Sequence, residues 1–359
     1  MQRKFGGLAV CCSVVAAIAL PAVASARTKT VYAGGPTAFA TKLQNKYGAG
    51  ANAFLLQKVT INAGDTVVWN GARLADGFHD VDIPARGGSD QPLLLPSGTT
   101  VSGVNDNNGN PFWFNGQPNV GFNPQVAAPS GGNTYDGTTR VVSGLPLGPP
   151  ADFKVTFTRP GTYKYFCDVH YGMSGVVVVR PSGKPVPSAK RDANALKAQE
   201  KRFAAEAKGL QHAHPAKDTV SLGASRGDGL EVFKMFPATL KVKKDTVVTF
   251  LMSKQTRETH TATFGDTSPN GFVTNLAKTA FMSNPIDPIG IYPSDVPMPI
   301  AVTSTSHGYT DGFSNSGALD RDADTPPVPP SAQLKFTEAG TFNYICLIHP
   351  FMHGTVIVH

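Results

Sequence analysis

One short constellation occurs twice in this chain. Gly161 to Val179 reads GTYKYFCDVHYGMSGVVVV, and Gly340 to Val358 reads GTFNYICLIHPFMHGTVIV. Both place cysteine, histidine and methionine at the same spacing: Cys167, His170 and Met173, then Cys346, His349 and Met352. GTYKYF and GTFNYI alternate with period two, which predicts strands, and the valine-rich runs after each methionine predict returning strands. The three side chains then lie at a strand end and in a short connection tied at both ends to a sheet.

A thiolate, an imidazole and a thioether are soft or borderline donors. A trigonal His, His, Cys set with a weak axial Met describes a blue-copper electron-transfer site. Each cluster lacks one histidine, which must come from elsewhere in the fold. Ala63 to Asp82 reads AGDTVVWNGARLADGFHDVD, a strand after an Ala-Gly-Asp turn with His79 beyond it. His79 is the candidate for the first cluster. The second half repeats the first at an offset of about 180 residues. Asp245-Thr246-Val247-Val248 echoes Asp65-Thr66-Val67-Val68, and His260 echoes His79. The same element order and the same donors in both halves predict a duplicated domain.

The N-terminus reads as a secretory signal over residues 1–26. Arg3 and Lys4 open it, an apolar run follows, and Ala24-Ser25-Ala26 supplies a small-residue cleavage site. The run is short for a membrane span. The expectation is therefore an exported protein, periplasmic or extracellular, with no stable membrane insertion after signal removal. Of four cysteines, only Cys167 and Cys346 would survive cleavage. Free thiols are unusual outside the cell, and metal ligation accounts for both. A Cys167–Cys346 disulfide is the bland alternative.

With 359 residues the chain can bury two cores. Its 37 Gly and 29 Pro suit a β-rich protein with long loops. The net charge of +7 owes much to Lys184–Lys217, which reads as a solvated helix, so no nucleic-acid partner is expected. Ser188 is placed to cap a helix through AKRDANALKAQEKRFAAEAK, with Gly209 closing it. Two inserts, Ile83 to Pro150 and Asp266 to Pro330, are long for loops. The first carries the aromatic run Phe112-Trp113-Phe114 and is expected to add strands or cover a sandwich end. The predicted organisation is signal 1–26, domain 27–183, helical linker 184–218 and domain 219–359.

CDVHYGM and CLIHPFM resemble the Cys-x-x-His-x-x-Met loops of cupredoxins, the family of plastocyanin and azurin, and are most similar to those of amicyanin. The resemblance covers the motif regions and flanking strands of each half. It implies an all-β fold: two tandem Greek-key cupredoxin β-sandwiches joined by a helical linker. It implies copper bound by His79, Cys167, His170 and Met173, and a second copper by His260, Cys346, His349 and Met352. Each would cycle between Cu(I) and Cu(II) in one-electron transfer with a redox partner protein, His170 and His349 being the exposed route. Asp80 and Thr261 follow the first histidines where this family commonly has Asn, which touches the hydrogen bonds around each site.

Other readings are a copper-dependent oxidoreductase, such as a two-domain multicopper oxidase or nitrite reductase, and copper sequestration or delivery. The spare histidines His212, His214, His307, His353 and His359 form no pair of His-x-His strands, and Met-rich or His-rich tracts are lacking. An electron carrier, not an enzyme, is the expectation.

Overall fold

The computed structural model describes residues 26–71, 78–147, 152–321 and 328–359. The predicted signal, apart from Ala26, lies outside them. Among the described residues no helix is long and apolar enough to cross a membrane.

Two β-sandwiches follow one another along the chain. In the first, one sheet runs in the order Phe54–Leu55, Thr28–Ala33, Thr66–Gly71, Phe153–Phe157, Thr134–Tyr135. Its partner sheet runs Val141–Val142, Asp82–Ile83, Gly161–Phe166, Ser174–Arg180, Lys58–Asn62. The period-two reading of the motif strand is met: Tyr163 and Tyr165 point inward and their neighbours outward. Gly161–Phe166 pairs antiparallel with Ser174–Arg180, so the Cys–His–Met loop is the hairpin connection at one end of the sandwich. Between the sheets, Trp69, Phe157, Tyr165 and Val177 pack with Cys167 and Met173. Each large apolar side chain so buried contributes about 1.5–3 kcal/mol.

The second sandwich repeats this plan. Gly340–Ile345 and His353–Val358 form the motif hairpin, flanked by Thr239–Val242 on one side and Thr263–Gly265 on the other. The facing sheet has one strand more than its counterpart. Ala49–Ala51, from the first half, pairs antiparallel with Leu230–Phe236 and becomes its edge. The two halves thus share a sheet.

Helix Ala189–Leu210 begins where expected, with the Ser188 side chain accepting from the Arg191 backbone. It does not stop at Gly209. Gln211 ends it, its amide donating to the carbonyls of Ala207 and Tyr47 at 2.9 and 3.1 Å. The helix is also less solvated than its composition suggests. Phe203 and Ala207 are buried against Phe39 and Leu43 of helix Thr37–Tyr47 and against Leu230 and Phe236 of the second half. The charged face is exposed, and a narrow apolar stripe holds the halves together.

The inserts cross over. The first adds a hairpin, Leu94–Thr100 with Pro118–Phe122, and its aromatic run covers the neighbouring half. Phe112 and Phe114 pack with Val273, Leu276, Phe313 and Leu347. The Trp113 indole donates to the Pro293 carbonyl at 2.8 Å, and the Tyr292 hydroxyl to Pro118 at 2.6 Å.

His307 closes the same clasp. Its Nε2 lies 3.1 Å from Asp295 and its Nδ1 3.6 Å from Asp106 of the first insert. Burial disfavours its charge, but the hydrogen bond and charge of Asp295, then those of Asp106, outweigh this and raise its pKa. A histidine raised in the folded state contributes stability that is fully present below its ordinary value of about 6.5. That contribution disappears as pH rises through the higher folded value. The melting temperature of the wild type should therefore fall across this window relative to that of His307→Asn, and melts over a pH series check it.

Candidate metal centres

Each sandwich gathers two imidazoles and a thiol at its motif end. In the first, the Nδ1 atoms of His79 and His170 are 2.9 Å apart, and Cys167 Sγ lies 3.9 and 3.5 Å from them. In the second, the Nδ1 atoms of His260 and His349 are 3.1 Å apart, and Cys346 Sγ is 3.7 Å from both. One first-row ion with bonds of about 2.0–2.3 Å reaches all three atoms of such a triangle. Met173 and Met352 are buried beneath the loops. Each accepts, through its carbonyl, from the cysteine backbone and donates to the histidine carbonyl: Cys167 N to Met173 O is 2.9 Å, Met352 N to His349 O 2.7 Å.

The protonation states suit a metal. Burial, then the neighbouring His170, holds His79 well below the ordinary imidazole range, and burial with Arg257 lowers His170 to about 3. Burial, then His349, lowers His260; burial lowers His349, against Glu258. All four are neutral, with lone pairs to give. Burial pushes the Cys346 thiol up to about 11, and burial with Asp80 raises Cys167 further. A bound metal would deprotonate the thiol and take all three donors. The cysteines are free, with no disulfide between them.

The backbone is cut to fit the distant histidines. Gly34 has φ +76°, and a Cβ there would stand 2.9 Å from His79 Nε2. Gly223 has φ +80°, with His260 Nε2 3.4 Å and Glu231 Oε1 2.6 Å from the same imagined atom. Glycine is needed at both for conformation and for space.

Asp80 and Thr261 play the same part in the two halves. Asp80 Oδ1 accepts from the backbone N–H of Asp168 at 2.7 Å, and Thr261 Oγ1 from that of Leu347 at 2.8 Å. Each pins the residue after the cysteine. The Thr261 N–H also donates to Cys346 Sγ at 3.4 Å. Thr261→Val leaves a buried Leu347 donor unpaired and should cost about 1–3 kcal/mol in urea unfolding of the metal-free protein. The surroundings otherwise differ. Asp80, Asp82 and Asp168 lie beside the first site, where burial and mutual repulsion raise Asp80 and Asp82 to about 8. The second site has Thr261, Thr263 and Leu347 there.

One expectation fails. His170 and His349 are not exposed: they are 3% and 5% accessible. The two loops face each other across the junction of the halves. Between them stands Glu258, with Oε1 3.2 Å from His170 Nε2 and Oε2 3.5 Å from His349 Nε2. Asn52 donates to Glu258 Oε1 at 2.6 Å. Glu258 and Asn52 were not legible as site residues, since their partners are remote in sequence. A cavity of about 330 Å³ beside the junction is lined by Cys167, Asp168, Tyr171, Arg257 and Asp320. His212, His214 and His353 stay exposed, away from both triads.

Fold and triads define a copper-binding β-sandwich protein. Residues 41–180, in the first half of the chain, match the family of copper binding proteins, plastocyanin/azurin family. Similar solved structures include the oxidized form of plastocyanin from Dryopteris crassirhizoma, with 20% identity over 39% of this chain and 99% of that one and a TM-score of 0.21. Another is a reduced Cu(I) amicyanin variant, with 17% identity over 42% of this chain and 89% of that one and a TM-score of 0.22. No curated protein matches the chain.

Proposed function

We propose that this chain is an exported electron carrier holding two type 1 coppers, one in each half. His79, Cys167, His170 and Met173 would hold the first, and His260, Cys346, His349 and Met352 the second. The reading takes 27–183 and 219–359 as the two copper domains, with 184–218 between them. The observation that carries it is the paired convergence of two Nδ1 atoms and one Sγ at the same place in both sandwiches. Copper there supplies a one-electron Cu(II)/Cu(I) couple.

The protein's own part is to hold the donors still. Each cysteine and each loop histidine is tied by the methionine backbone, each distant histidine rests on a glycine, and Asp80 or Thr261 locks the cysteine strand end. Rigid donors that need not rearrange between oxidation states suit rapid transfer to a redox partner protein.

Metal analysis with electron spin resonance on copper-loaded protein tests the reading. Two coppers per chain are expected, with intense colour and the signature of thiolate-bound Cu(II). A protein that stays colourless in excess copper overturns it. Sustained oxygen or nitrite reduction without an added partner would replace the carrier by an enzyme.

A further inference from the structure

We propose that Glu258 is the shared contact between the two metal centres, so that His170, Glu258 and His349 form the route by which an electron crosses between the halves. This rests on the two-copper reading above.

The geometry is specific to that role. In both triads Nδ1 faces the cysteine, and with Nδ1 given to copper, Nε2 of His170 and of His349 would be outward N–H donors. Both meet one carboxylate, one on each oxygen. A carboxylate accepts on both sides at once, which an amide cannot do. Glu258 is held in place: its side chain is 6% accessible, Asn52 donates to Oε1, and its own N–H donates to Thr256 Oγ1 at 3.1 Å. At 3.2 and 3.5 Å both contacts lie in a buried place, where electrostatic attraction is little screened.

The equivalent position of the first half carries no carboxylate. Glu258 lies two residues before His260, and the residue two before His79 is Gly77. One carboxylate therefore serves both sites. A carboxylate that merely tied the halves together would need no particular partners, yet Glu258 takes one loop histidine from each triad. The burial of both histidines follows: their outward edges address each other rather than solvent. In the crossing, the half that gives the electron is oxidised and the half that receives it is reduced. No bond forms or breaks, and both Nε2 protons stay on their imidazoles.

The test uses the full-length copper-loaded protein, half-reduced by a flash-generated small one-electron reductant, with each centre followed by its own absorption and spin signal. Glu258→Gln keeps the shape but can accept from one histidine only; Glu258→Ala removes both contacts. Both are expected to retain two coppers and to slow equilibration between the centres by about 10-fold or more. In the wild type the midpoint potential of each site should depend on the oxidation state of the other, and this dependence should shrink in both variants. Two coppers with wild-type equilibration and unchanged potentials in Glu258→Gln would overturn the proposal while leaving the two-copper reading intact. So would copper loss from one half alone in that variant, since a shared contact acts on both. A wild type that binds no copper would instead remove the reading on which the proposal rests.

Discussion

Cys167→Ser protein is expected to bind one copper instead of two and to lose about half its visible colour, because the colour arises from thiolate-to-copper charge transfer. The serine hydroxyl is a hard, weakly acidic donor in a site where burial already opposes ionisation of the thiol. It cannot replace the soft anion that draws copper between the His79 and His170 nitrogens. Cys346 sits in a separate sandwich with its own two histidines, so its copper should survive. Cys346→Ser should give the mirror result, with the remaining spectrum that of the first site. Metal content and the visible spectrum are the measurements. Unchanged colour after Cys167→Ser would mean that the first triad holds no copper.

The second large effect lies away from the metal. Phe203→Ala should destabilise the protein by about 3–5 kcal/mol, the usual cost of emptying a well-packed aromatic site. Phe203 is 2% accessible, on the one buried stripe of the long helix, with Phe39, Leu43, Leu230 and Phe236 around it. Those neighbours come from both halves. The cavity should therefore weaken the junction as well as the helix, and unfolding in urea should separate into two transitions. A single transition at the wild-type midpoint would show that the junction is held elsewhere, as by the Trp113–Pro293 and Tyr292–Pro118 contacts of the inserts.

Much of the metal centre could be read in the chain because its parts obey local rules. Alternation in GTYKYF and GTFNYI set the motif strands, and their hairpins placed Cys, His and Met in one short loop. His79 and His260 were found without any local rule, by the repeat, because two copies of one fold must supply equivalent donors at equivalent places. Helix Ala189–Leu210 was visible through its composition and its Ser188 cap.

What the local pattern and the repeat together determined was therefore the two triads, the hairpins that carry them and the helix between. What only the tertiary structure decided was how the halves meet. The run Phe112-Trp113-Phe114 was expected to add strands or cover a sandwich end, and only the packed structure shows that it covers the neighbouring half. Ala49–Ala51 belongs to one half by sequence and to the other by hydrogen bonding. His170 and His349 were expected at the surface and lie against Glu258. The reason is the range of the forces: strand period and hairpin closure act between near neighbours, whereas the junction is made by apolar burial and paired polar groups about 100–200 residues apart, which no short stretch of chain encodes.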